Sequence, residues 1–147
     1  MLPQLLLGSL LVVATSAVHS AVTVLVLRLL RALHRDHSLI QTHLGRASLV
    51  AGTVLLLFLA AVIEVMIWAW TYLQVGALEG LEAATYFSMV TFTTLGYGDI
   101  TLSEDWRLLA SFQAAIGIIM FGWTTAIIVA LIQRMVRLTQ GSAATDG

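Results

Sequence analysis

Thr91-Phe92-Thr93-Thr94-Leu95-Gly96-Tyr97-Gly98-Asp99 is the stretch that decides how the whole chain is read. Its glycines stand at alternate positions, 96 and 98, where neither a helix nor a plain strand benefits from them. In a plain strand successive residues face opposite sides, so half of its carbonyls would point away from any given axis. Left-handed dihedrals at alternate positions turn every carbonyl to one side, and glycine adopts them without steric cost. Several such strands around an axis would stack rings of backbone oxygen from Thr94, Leu95, Gly96 and Tyr97, with the Thr94 hydroxyl as the innermost ring. Stacked rings of this kind can replace the water shell of a dehydrating cation. A backbone without internal hydrogen bonds cannot face lipid, so it has to be wedged inside protein.

The flanking sequence supplies that wedge. Leu81 to Thr93 reads as a helix of roughly 20 Å, too short to cross a bilayer core of about 30 Å. Its C-terminus would aim a partial negative charge at the axis and favour a cation there, and Glu79 and Glu82 suit its positive N-terminal end. Leu49–Trp70 before it and Trp106–Leu138 after it are long enough to span, as is Leu5–Leu30 at the start of the chain. Trp68, Trp70, Tyr72 and Trp106 read as anchors in the interfacial belt. The chain is 59% hydrophobic and 10% charged, which excludes an ordinary soluble domain. It has no cysteine, so disulfides and thiolate metal sites are excluded too.

Charge sets the expected orientation. All 7 basic residues are arginine; Arg28, Arg31, Arg35 and Arg46 form one group, Arg134 and Arg137 another. Glu79, Glu82, Asp99, Glu104 and Asp105 lie between the second and last spans. The positive-inside bias then places the N-terminus and the glycine stretch outside and the C-terminus in the cytoplasm. Arg107 is the exception, softened by the acids around it. A cleaved signal peptide is the rival reading of the first span. The absence of a basic n-region and the resulting placement of Arg28, Arg31 and Arg35 favour a retained span.

Thr94-Leu95-Gly96-Tyr97-Gly98-Asp99 resembles the selectivity filter of tetrameric potassium channels, patterned Thr-x-Gly-Tyr-Gly-Asp, and the resemblance runs from about Ser48 to Arg137. It implies an all-α membrane protein, three spans plus a re-entrant pore helix and filter loop, assembled as a homotetramer. It implies K⁺ at Thr94, Leu95, Gly96 and Tyr97, with Gly98 completing the filter and no organic cofactor. Thr93, Val90, Tyr86, Phe87 and Asp99 would support the filter. Gly117-Ile118-Ile119-Met120-Phe121-Gly122 is similar to the glycine hinge region of small bacterial potassium channels. By that likeness Ile118, Phe121, Thr125 and Val129 line the cavity or gate, and Gly117 is a hinge or a close-packing glycine. A bacterial plasma membrane is the expected setting, and no nucleic-acid partner is expected. The implied organisation is residues 1–35 as an extra span, 36–47 as a cytoplasmic linker, 48–138 as the pore and 139–147 as a polar tail.

The chain departs from that family in several places. Leu95 replaces a commoner Val, and Tyr86-Phe87 stands where a Trp pair often braces the filter. Val90 replaces a Glu that bonds the filter Asp in some channels, so Asp99 is expected to lack that partner. No Pro follows Asp99, and the first span is additional.

Other residues invite roles that simpler physics explains. Arg28, Arg31 and Arg35 at a boundary mark topology rather than a voltage sensor. His34, His37 and His43 read as solvated interfacial groups. Glu64, inside the second span, is either a proton-sensitive contact or a structural hydrogen bond to the pore helix or first span. No catalytic triad or phosphate loop is present, so an enzyme is not expected, and the short tail is expected to hold no regulatory domain. A nonselective pore and a non-conducting regulatory subunit stay open as alternatives.

Overall fold

The computed structural model describes residues 1–33 and 42–143. Four helices follow in order: α1 (Leu2–Leu33), α2 (His43–Gln74), α3 (Leu81–Phe92) and α4 (Arg107–Ala143). No strand occurs among the described residues. Three of the helices, α1, α2 and α4, are long and apolar enough to cross a membrane. The chain is therefore an all-helical integral membrane protein.

Local signals set the helix ends. Pro3 sits in the first turn of α1, where a missing amide hydrogen leaves nothing unpaired. Thr42 caps α2 by accepting from the Gly45 amide at 3.1 Å. At the other end of α2, Gly76 takes a left-handed φ of 67° and the Ala77 amide returns to the Tyr72 carbonyl at 2.9 Å. α3 matches its expected extent to one residue. α4 runs to Ala143, past the expected end at Leu138, so it takes in the first part of the segment read as a tail. His34, Arg35 and His37 lie outside the described residues, whereas His43 opens α2.

Two apolar clusters give the directions of the spans. Leu11 of α1 packs with Val65, Trp68 and Tyr72 of α2 and with Leu109 and Ile116 of α4. Val26 and Leu30 pack with Leu131 and Met135, flanked by Leu49 and Val50. α1 thus runs antiparallel to α2 and parallel to α4, and Arg28, Arg31, Arg46, Arg134 and Arg137 all fall at the end of the second cluster. α3 is seated at the opposite end, against Trp68, Tyr72 and Ile116. Trp68 and Tyr72 correct their reading as interfacial anchors. Both are fully buried, whereas Trp70 is 61% exposed. Arg107, on the side poor in arginine, pairs with Glu104 at 3.3 Å.

Candidate functional site

The glycine stretch begins as the end of α3. The Thr94 amide bonds the Thr91 carbonyl at 2.9 Å and the Leu95 amide reaches back to the Val90 carbonyl at 3.0 Å. That pair of bonds is a Schellman cap, whose left-handed position usually holds glycine. Here it holds Thr94, with φ of 60°, the only non-glycine at positive φ among the described residues. The conformation costs a β-branched residue about 1–2 kcal/mol. Gly96 and Gly98 follow with φ of 54° and 79°. Left-handed residues therefore alternate at 94, 96 and 98.

Beyond this cap the Gly96 amide also reaches the Val90 carbonyl, at 3.4 Å, but the carbonyls of the loop turn to no partner among the described residues. The carbonyls of Thr94, Leu95, Gly96 and Tyr97 accept no hydrogen bond from the described residues. Residues 93–99 are exposed on the single chain, Tyr97 by 66% and Leu95 by 55%. The Thr93 hydroxyl turns away from them, donating to the Met89 carbonyl at 2.9 Å and the Val90 carbonyl at 3.2 Å.

Asp99 does have a partner. The Tyr86 hydroxyl donates to its Oδ2 at 2.6 Å, supplying from α3 the bond that Val90 cannot make. This hydrogen bond holds the Asp99 carboxyl below its ordinary range, helped by its own and the Ile100 amide against mild desolvation. It also pushes the Tyr86 phenol up, with smaller contributions from desolvation and the nearby charge of Asp99.

Behind the stretch, α3 is bolted to both neighbouring spans. The Ser88 hydroxyl donates to the Val65 carbonyl of α2 at 2.7 Å. Gln113 Nε2 of α4 donates to Ser88 Oγ at 2.6 Å and to the Ser88 carbonyl at 3.2 Å. The Tyr72 hydroxyl then donates to Gln113 Oε1 at 2.8 Å, completing a buried chain of polar groups. Phe87 packs edge-on against Tyr72, with ring centroids 5.2 Å apart. Sequence reasoning missed Ser88 and Gln113; a lone amide within an apolar span was the available signal.

α4 passes directly over the end of α3. A Cβ at Gly117 would overlap the Phe92 carbonyl oxygen and stand 3.0 Å from its carbon. Of the two readings of Gly117, close packing is the one this geometry carries, and α4 is continuous through the position. Phe121 lies edge-on to Phe92 at 5.7 Å. Ile118, Phe121, Thr125 and Val129 are all exposed on the single chain and, apart from the contact of Phe121 with Phe92, lie on the face of α4 opposite Ile116, Met120 and Leu131. No group of three or more metal-binding side chains occurs among the described residues.

Three apolar spans with a short helix and an open, alternately left-handed loop between them define a membrane protein of the channel class. The model of the family described as Ion channel matches residues 52–134, more than half of the chain, and the chain belongs to that family. The match starts in α2 and ends in α4, leaving α1 outside it. No curated protein and no solved structure matches significantly.

Proposed function

We propose that four copies of this chain surround one axis and conduct K⁺ selectively and passively through the segment Thr94–Gly98. The observation that carries the reading is the alternation of left-handed Thr94, Gly96 and Gly98 with four carbonyls that no described residue engages. Oxygens at Thr94, Leu95, Gly96 and Tyr97 would take the place of ion hydration, and neighbouring ions would repel one another onward. α3 acts as a re-entrant pore helix whose negative end faces the ion. α4 is the inner helix, with Ile118, Phe121, Thr125 and Val129 toward the cavity.

Support for assembly comes from the surface. Leu81, Tyr86, Met89, Leu95 and Tyr97 form an exposed apolar face beside the open backbone. Neither lipid nor water suits both components, and identical neighbours would cover the apolar part and close the oxygen rings. The arginines favour an N-terminus outside and a C-terminus in the cytoplasm, in a bacterial plasma membrane.

The test is purified protein in a planar bilayer under a K⁺/Na⁺ gradient, with cross-linking to count subunits. A reversal potential near that for K⁺ and a tetramer are expected. A current that ignores the cation, or a tetramer without any current, would replace this reading with a nonselective pore or a regulatory subunit.

A further inference from the structure

A glutamate in the middle of an apolar span is tolerated only against protein, and such a residue usually serves a purpose. Glu64 of α2 is fully buried, and its Oε1 lies 2.9 Å from Nδ1 of His19 on α1. The other imidazole nitrogen, Nε2, is 3.4 Å from the Thr124 hydroxyl of α4. Trp123, also of α4, sets its ring edge-on to His19 at 5.2 Å. One titratable pair therefore touches all three spans. Glu64 Oε2 is buried without a hydrogen-bond partner among the described residues, as is Trp68 Nε1 one turn along the same helix face.

We propose that His19 and Glu64 form an intramembrane proton-binding site whose occupancy is passed to α4 through Thr124. The chemistry follows from the two nitrogens. With one proton on the ring, Nδ1–H donates to the Glu64 carboxylate and bare Nε2 accepts from the Thr124 hydroxyl. A proton arriving from water at Nε2 takes the pair from net −1 to neutral. Nε2–H then donates to Thr124 Oγ1, so the hydroxyl hydrogen must turn elsewhere. The bond between α1 and α4 reverses direction. Unpartnered Glu64 Oε2 is the second place where a proton can sit.

Among the described residues, no other charged side chain is paired with His19 or Glu64. α4 faces the pair with neutral Thr124 and Trp123, and α3 approaches α2 nearby through neutral Ser88 at Val65. The arginines nearest along their helices, Arg28 on α1 and Arg134 on α4, are about 13 to 15 Å away by helical rise. Arg46 and Arg107 are farther still. Successive helical residues turn by about 100°, so Thr124 meets α1 while Thr125 faces elsewhere, toward the proposed cavity. That last link rests on the proposed function; the proton site itself does not.

Two measurements separate the claims. In liposomes, the infrared bands of the imidazole ring and of the carboxylate bonded to it should change with pH in the wild type, and the part due to this site should be lost in Glu64→Gln. Equal pH difference spectra in the two proteins would overturn the site, whether or not the protein conducts. In planar bilayers, K⁺ current should follow pH in the wild type. His19→Gln and Glu64→Gln should lose that dependence and keep the reversal potential. Thr124→Val, which spares the pair, should keep the infrared change and lose the response of the current. A Thr124→Val current that still tracks pH as the wild type does would overturn the relay.

Discussion

Tyr86 donates its phenol hydrogen to Asp99 over 2.6 Å, so a side chain of α3 holds the residue that follows the last glycine of the loop. Tyr86→Phe removes only that hydrogen bond. The expected result is a K⁺ current that decays faster during sustained conduction, because the loop loses its tether at the far end. Macroscopic current after a step to constant voltage measures it. A decay equal to that of the wild type would mean that the bond does not restrain the proposed filter.

The same bond has an acid limit. Asp99 is lowered from its ordinary 3.8, so its folded-state contribution is complete above that value and is lost as pH falls through the depressed one. Wild-type loop order should therefore survive mild acid, with the carboxyl resonance of Asp99 titrating below 3.8. In Tyr86→Phe that titration should move upward, which site-labelled NMR would show. Tyr86 is raised, so its contribution is complete below the ordinary 10.0 and is lost only as pH climbs through the raised value.

Gly96 and Gly98 make a clean test of backbone against bulk. A Cβ at either would meet nothing within 4 Å in the chain, so substitution acts through the positive φ. Gly98→Ala should cost about 1–2 kcal/mol in this conformation and drive the segment toward ordinary extended geometry. K⁺ over Na⁺ selectivity should be lost while insertion into the membrane persists. Unchanged reversal potentials in Gly98→Ala would remove the proposed role of this carbonyl stack.

Several features were legible because they depend on near neighbours in the chain. Hydropathy and length located α1, α2 and α4, and the short helix was placed to within one residue. The alternation of Gly96 and Gly98 was legible too, but it did not reach position 94, where a threonine takes the left-handed state. Other features depend on contacts across the fold. Trp68 looks like any tryptophan near a span end until α1 and α3 cover it. The bond from Tyr86 to Asp99 exists only because the loop doubles back beside α3, and His19 finds Glu64 only through the pairing of α1 with α2. No periodicity encodes such meetings.

Gly117 separates a packing role from a bending one. Gly117→Ala forces a methyl into the Phe92 carbonyl, which is backbone and cannot rotate aside. Overpacking of this kind costs typically about 1–3 kcal/mol. Reduced thermal stability of the detergent-solubilised protein is expected, together with disturbed function of the proposed filter, since Phe92 directly precedes the cap. If Gly117→Ala were as stable as the wild type and altered only opening, the hinge reading would be the better one.

Gln113 holds the polar chain behind α3, and its replacement by Leu tests whether that chain positions the glycine loop. Gln113→Leu preserves volume roughly but strands the Tyr72 hydroxyl and removes the donor to Ser88, all in fully buried surroundings. Each buried polar group left unpaired costs about 1–3 kcal/mol. Pairing Gln113→Leu with Tyr72→Phe takes away the stranded hydroxyl and should recover part of the loss. A double-mutant cycle on thermal stability reads the coupling, expected to lie between about 0.5 and 3 kcal/mol for groups in one network. Additive losses would show that Tyr72 and Ser88 are independently satisfied, and that α3 owes its seat to the apolar contacts of Phe87 and Phe92 instead.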